Sequence, residues 1–166
     1  MTTRRLVLVR HAKAAQEGVD RDRPLARRGM TEAPAIGRWL AEQQIAPDRV
    51  VVSPARRARE TWKLAAAELG PTAEPERDER VYRNTVDDLL AVIRGTPAAV
   101  STLAIIGHNP AIQDLAIAFD DRDGDADGRS ELVQKYPTSG VAVFGVADPW
   151  AAAGTGTLIS FTVPRS

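Results

Sequence analysis

The chain has 166 residues, 43% of them hydrophobic and 27% charged, a balance ordinary for a folded domain and a length that allows one domain with a substantial core. Its 22 basic and 22 acidic side chains cancel, so composition gives no footprint for nucleic acid or for a membrane surface. The absence of cysteine excludes disulfides, zinc-thiolate sites and a cysteine nucleophile.

No apolar run approaches the length of a membrane span and the first strand follows the start directly, so a water-soluble protein is expected, with the cytoplasm as default location. Leu6-Val7-Leu8-Val9 is a continuous apolar run that reads as a strand buried on both faces, and Arg10-His11 follow at its end. Residues 12–28 are polar and irregular and read as a loop around Asp20-Arg21-Asp22-Arg23-Pro24-Leu25, with Arg23 and Arg28 as loop charges first and substrate-rim contacts second. Thr31 can cap a helix reaching about Gln44, with Pro34 in its first turn and Met30, Ala33, Ile36, Gly37 and Leu40 as its buried stripe. Val50-Val51-Val52 is a second short strand. Ser53 as cap and Pro54 at the first helical position then start a helix whose inward face is Ala58, Thr61, Trp62, Ala65 and Leu69, ended by Gly70-Pro71.

Residues 71–85 are polar, and Thr85 caps a further helix with Val86, Leu89, Leu90 and Ile93 inward. Leu103 to Ile106 repeats the first strand, and Gly107-His108-Asn109-Pro110 turns into a helix capped by Asn109. The stretch 120–137 is rich in Asp and Gly. Its run Asp123 to Gly128 satisfies half of a calcium-loop pattern, but Gln134 stands where a bidentate Glu is needed, so a surface loop is expected. Val141 to Val146 and Thr157 to Val163 read as the last two strands. These elements predict a single α/β domain over residues 1–166. It is a three-layer sandwich with a mostly parallel central sheet, helices on both faces, and the C-terminal strands antiparallel at one edge.

Three segments share one grammar, an apolar strand followed by a ligand-competent residue and then a turn or helix start. If the strands are parallel, Arg10, His11, Arg57 and His108 all reach the carboxyl edge of the sheet, where open α/β sheets bind ligands, and the chain's only two histidines are both among them. Arg57 lies about one turn into its helix, whereas Arg56 points elsewhere.

In these motifs the sequence resembles the histidine phosphatase, or phosphoglycerate mutase-like, superfamily. Arg10-His11-Ala12 is similar to its Arg-His-Gly/Ala signature, Ser53-Pro54 through Arg57-Ala58 and Thr61 to its Ser-Pro-x-x-Arg-Ala-x-x-Thr segment, and Gly107-His108 to its second histidine. Short length, Asp22-Arg23-Pro24-Leu25 with Arg28-Gly29, and Gly107-His108-Asn109-Pro110 are similar to the SixA-type phosphohistidine phosphatases.

The resemblance implies that His11 is the nucleophile and that Arg10, Arg57 and His108 hold the phosphoryl oxygens, with no metal and no cofactor. Neutral imidazole is a competent nucleophile near neutral pH, and two guanidinium forks can neutralise a phosphate dianion. Glu79-Arg80-Val81-Tyr82 resembles the Glu-Arg-x-Tyr of the mutases, which makes Glu79 a candidate general acid; a solvated glutamate ahead of a helix is the alternative. Because the catalytic segments are joined by short connections, the expected substrate is phosphohistidine on a partner such as a phosphotransfer protein, with no nucleic acid or membrane partner. Alternatives are a small-molecule phosphomonoester phosphatase, a mutase-like phosphotransferase and a noncatalytic phosphate-binding module.

Overall fold

The computed structural model describes residues 3–165. Its core is a six-stranded sheet in the order β3-β2-β4-β1-β5-β6. These strands are β1 (Arg4–Arg10), β2 (Arg49–Val52), β3 (Pro75–Arg77), β4 (Thr102–Gly107), β5 (Val141–Val146) and β6 (Thr157–Thr162). The first four are mutually parallel, β5 runs antiparallel to β1, and β6 runs antiparallel to β5. The expected α/β architecture, with its antiparallel C-terminal pair at one edge, is therefore what the chain adopts.

Strand alternation divides the core. Leu6 and Leu8 of β1, with Leu103 and Ile105 of β4, face one side and pack against Leu89 and Ile93 of α4 (Val86–Arg94), Ile112 and Leu115 of α5 (Ala111–Phe119) and Leu132 of α6 (Ala126–Gln134). Val7, Val9, Val50, Val52, Ala104 and Ile106 face the other, against Ile36 and Leu40 of α1 (Arg27–Glu42) and Ala58, Trp62 and Ala65 of α2 (Arg56–Ala66). Both faces of β1 and β4 are thus covered, which is why these strands read as unbroken apolar runs. Each fully buried Leu or Ile contributes about 1.5–3 kcal/mol of transfer free energy.

Several local expectations give way to tertiary contacts. α1 begins at Arg27, after Ala26, and not at Thr31; Thr31 Oγ1 instead donates to the Arg27 carbonyl from within the helix. The earlier start is possible because Gly29 lies against the chain after β1, where a Cβ would meet the Lys13 carbonyl oxygen at 2.1 Å. Met30 consequently turns to solvent, and Pro34 falls in the helix interior rather than the first turn. α2 starts two residues later than expected, with Ala55 rather than Ser53 at the cap. Pro110, not Asn109, precedes the first residue of α5.

The polar stretch after residue 71 contains β3 and the short helix α3 (Glu79–Arg83). The Asp-rich stretch, expected as a surface loop, forms α6, and its acids have local work. Asp125 caps that helix by accepting from Gly128 N, Asp120 pairs with Arg129, and Asp121 accepts from Thr157 Oγ1. Thr85 caps α4 as expected, accepting from Asp88 N at 3.1 Å.

Candidate active site

Register alone brings the two histidines together. Arg10 of β1 pairs with Gly107 of β4 and Val52 of β2 pairs with Ile106, so the next residue of each strand, His11, His108 and Ser53, meets the others at the carboxyl edge. His11 N donates to the Gly107 carbonyl and Ser53 N to the Ile106 carbonyl, each at 3.0 Å. The imidazole centroids are 5.2 Å apart. A cavity of about 470 Å³ opens above this junction, with Arg10, His11, Arg57 and His108 in its wall.

The His11 ring is oriented by its own backbone. Nδ1 lies 2.7 Å from the Ala12 carbonyl oxygen, and since a carbonyl only accepts, Nδ1 carries the proton and Nε2 keeps the lone pair. The turn is secured from α2, where Thr61 Oγ1 accepts from Ala12 N at 3.0 Å and donates to the Arg57 carbonyl at 2.7 Å. Burial pushes the His11 imidazolium down to about 3, opposed by the Ala12 hydrogen bond and assisted by His108, Arg57 and Arg10. Burial, followed by the Arg57 charge, likewise pushes His108 down to about 4. Both rings are neutral at pH 7.

His108 Nε2 stands 2.7 Å from Ser53 Oγ, which also accepts from Ala55 N at 3.2 Å. The Ser53 hydroxyl proton is then free to go to Nε2, leaving the ring proton on Nδ1, a buried atom with no hydrogen-bond partner among the described residues. Arg10 presents the same situation. Its Nη1 donates to the Tyr136 carbonyl at 2.9 Å, whereas its buried Nε has no partner among them. Two residues of the cavity wall thus carry buried donors without an acceptor among the described residues, which is costly unless an acceptor arrives.

Arg57 is buried and enters the cavity, while its neighbour Arg56 is exposed and paired with Glu60, as the helix register required. Arg57 Nη1 donates to the Asp20 carbonyl at 2.7 Å and Nη2 to Asp20 Oδ2 at 3.2 Å. Asp20, in a single 3-10 turn spanning Asp20–Asp22, is the main site residue that sequence reasoning missed. Its Oδ2 also accepts from Tyr82 OH at 2.5 Å, and Oδ1 accepts from Arg23 Nη1 at 3.2 Å. Tyr82 foremost, with the Arg57 charge and the Arg57 and Arg23 hydrogen bonds, holds the Asp20 carboxyl down to about 2, and burial is the main effect opposing them.

Tyr82 reaches the site because Gly107 lets α3 approach: a Cβ there would lie 2.9 Å from Val81 Cγ1. Its ring meets that of His108 edge-on at 5.8 Å. Arg23 and Lys13 also line the cavity, so Arg23 is more than a loop charge, whereas Arg28 pairs with Glu32 away from it.

Glu79 stands apart from this group. It is not in the cavity wall, and both its carboxylate oxygens are held by Arg21, at 2.7 and 2.5 Å. The Arg21 hydrogen bond keeps its carboxyl below the usual range. An exposed, ion-paired carboxylate is poorly suited to deliver a proton, and in this structure Glu79 holds Arg21 above the Tyr82 ring, 4.3 Å from its centroid.

Residues 6–82 match the family model for the histidine phosphatase superfamily, branch 1. A structure from Nakamurella multipartitia that bears the name phosphohistidine phosphatase SixA is 32% identical, with a TM-score of 0.84 over 99% of this chain and 98% of that one. The chain belongs to the histidine phosphatase superfamily and is of the SixA type. A SixA structure from Agrobacterium tumefaciens is 28% identical with a TM-score of 0.82, covering 96% of this chain and 98% of its own. An uncharacterized protein of Mycobacterium tuberculosis is 40% identical over 162 residues, 95% of this chain and all of the relative. Membership makes the chain a phosphatase of the histidine-phosphatase type. No helix among the described residues is long and apolar enough to cross a membrane.

Proposed function

We propose that the protein removes the phosphoryl group from phosphohistidine on a partner protein, without a metal, through a phosphorylated His11. The observation that carries this reading is the neutral His11 ring in the cavity wall, with Nδ1–H fixed on the Ala12 carbonyl and the Nε2 lone pair left over, beside Arg10 and His108, whose buried Nε and Nδ1 have no partner among the described residues. Nε2 attacks phosphorus in line, the bond to the leaving group breaks, and the phosphoryl oxygens settle on Arg10 Nε, Arg57 and His108 Nδ1. Water then attacks phosphorus, the N–P bond breaks, its electron pair returns to Nε2, and inorganic phosphate leaves.

Arg10, Lys13, Arg23 and Arg57 line the cavity against the single carboxylate of Asp20, enough positive charge to receive a phosphoryl dianion without a divalent cation. A protein-borne substrate is favoured by what surrounds the cavity. Of the two stretches long enough to form a rim, 120–137 packs as α6 against β6, and only the segment around residues 13–23 borders the opening. That segment is short and tied back, with Ala15 N donating to the Pro24 carbonyl and Ala26 N to that of Lys13.

The test is phosphoryl capture. Protein incubated with a labelled phosphodonor and quenched in base should carry alkali-stable, acid-labile label on His11. Absence of label, or equal label in His11→Ala, refutes the mechanism. Comparison of kcat/KM on a phosphohistidine-bearing protein with that on sugar phosphates, nucleotides and phosphoserine peptides tests the substrate, and preference for a free metabolite assigns a small-molecule phosphatase instead.

A further inference from the structure

Phosphate binding by itself leaves one feature of the cavity unaccounted for. An ionised carboxylate sits within hydrogen-bond reach of Arg57, where its charge opposes that of an arriving phosphoryl group. Holding Arg57 in place does not require it, because the Asp20 backbone carbonyl already takes Nη1 at 2.7 Å. Nor is the carboxylate equipped to donate a proton: Tyr82, Arg57 and Arg23 all donate to it. A carboxylate offers about four acceptor positions, and these three donors leave one open on Oδ1. The side chain is 52% exposed, so that position is reachable from the mouth of the cavity.

We propose that Asp20 selects a cationic leaving group, its carboxylate accepting a hydrogen bond from the protonated imidazole ring of a phosphohistidine whose phosphoryl group rests on Arg10, Arg57 and His108. The proposal rests on the phosphohistidine reading above and deepens it. When one ring nitrogen bears phosphorus, the other can carry a proton, and the ring is then an imidazolium beside a dianion. Asp20 favours that charge state, as a carboxylate next to an imidazolium does. On transfer to His11 Nε2, the substrate's N–P bond breaks and its electron pair returns to the ring nitrogen that held phosphorus. The ring's other nitrogen keeps its proton, so neutral imidazole departs and no acid of the protein is consumed. A phosphate ester brings no cation to this position and meets only the repulsion.

The experiment measures kcat/KM on a phosphohistidine peptide and on p-nitrophenyl phosphate with one preparation each of wild type, Asp20→Asn and Asp20→Glu. The ratio of the two values cancels differences in folded fraction. In Asp20→Asn the ratio of phosphohistidine to ester should fall roughly 10- to 100-fold, the worth of one charge-assisted hydrogen bond, and Asp20→Glu, which keeps the charge, should recover part of it. Equal losses on both substrates reduce Asp20 to a positioning residue for Arg57 and overturn the proposal, as do an unchanged ratio, a greater loss on the ester, or a Glu variant that behaves like Asn. Failure of wild type to hydrolyse the phosphohistidine peptide overturns the substrate reading itself, and it shows before any variant is assayed.

Discussion

Arg57→Ala probes the catalytic centre with a built-in control one residue away. Arg57 is 7% exposed and its guanidinium lines the cavity, held from one side by Asp20. Removing it leaves a phosphoryl dianion with Arg10 as the remaining guanidinium of the predicted phosphate site. Loss of one such charge-assisted partner costs about 2–5 kcal/mol of transition-state stabilisation. At about 1.4 kcal/mol per decade, this lowers kcat/KM roughly 30- to 5,000-fold. Arg57→Lys should recover only part of the loss, because an ammonium keeps the charge but not the planar fork. Arg56 is exposed and its ion pair with Glu60 spans one helical turn, so Arg56→Ala should stay within about twofold of wild type. Steady-state kinetics on a phosphohistidine peptide, with thermal melts to establish folding, decide the matter. If Arg57→Ala retains activity while Arg56→Ala loses it, the assignment of the inward face of α2 is wrong.

Thr61→Val keeps the shape of the side chain but strips the buried Ala12 N–H of its acceptor, which should lower stability by about 1–3 kcal/mol in denaturant titration; an unchanged midpoint would refute that role. Folded His11 and His108 titrate at about 3 and about 4, below the ~6.5 of an unfolded histidine. Between those values the unfolded chain binds protons that the folded chain does not, so stability is full above about pH 6.5 and falls as pH drops through this window. Melting curves from about pH 5 to about pH 8 should therefore slope less for the double variant His11→Gln/His108→Gln than for wild type, and parallel slopes would contradict the burial argument. Activity should persist in EDTA; loss that magnesium or zinc restores would show that the two guanidiniums do not suffice.

The parts of this fold legible in the sequence are those fixed by burial on two sides. β1 and β4 are covered by helices on both faces, so their apolar runs and the residues that follow them, Arg10 with His11 and Gly107 with His108, stand out without any contact information. Boundaries set by long-range contacts were not legible. Thr31 is as good a cap as Thr85, and only the approach of Gly29 to the Lys13 carbonyl shows why α1 is capped five residues earlier, at Ala26. α6 was hidden because it buries only Gly128 and Leu132, too few positions to impress a helical period on an Asp-rich stretch. Asp20 and Tyr82 come from a 3-10 turn and a five-residue helix, segments too short for periodicity to place, and a distance of 2.5 Å between residues 62 positions apart has no local signature.

The antiparallel edge of the sheet matters to the chemistry as well as to closure of the core. A parallel neighbour would bring only its own carboxyl end to the site, whereas β5 brings the chain entering it. Val141 pairs with Val9, so the residues just before Val141 lie beside the end of β1. Gly140 accepts from Arg10 N, and Ser139 N donates to the carbonyls of Arg10 and His11. Tyr136 closes the arrangement from both ends of its residue: its hydroxyl donates to the Leu8 carbonyl at 2.6 Å while its own carbonyl accepts from Arg10 Nη1. Arg10, a residue of the cavity wall, is thereby held through Nη1 before a phosphoryl group arrives. A donor held in place beforehand reorganises little during the reaction, which is what makes it effective in stabilising the charge that develops there. The position of Tyr136 in the chain, 126 residues beyond Arg10, follows from the reversal of β5.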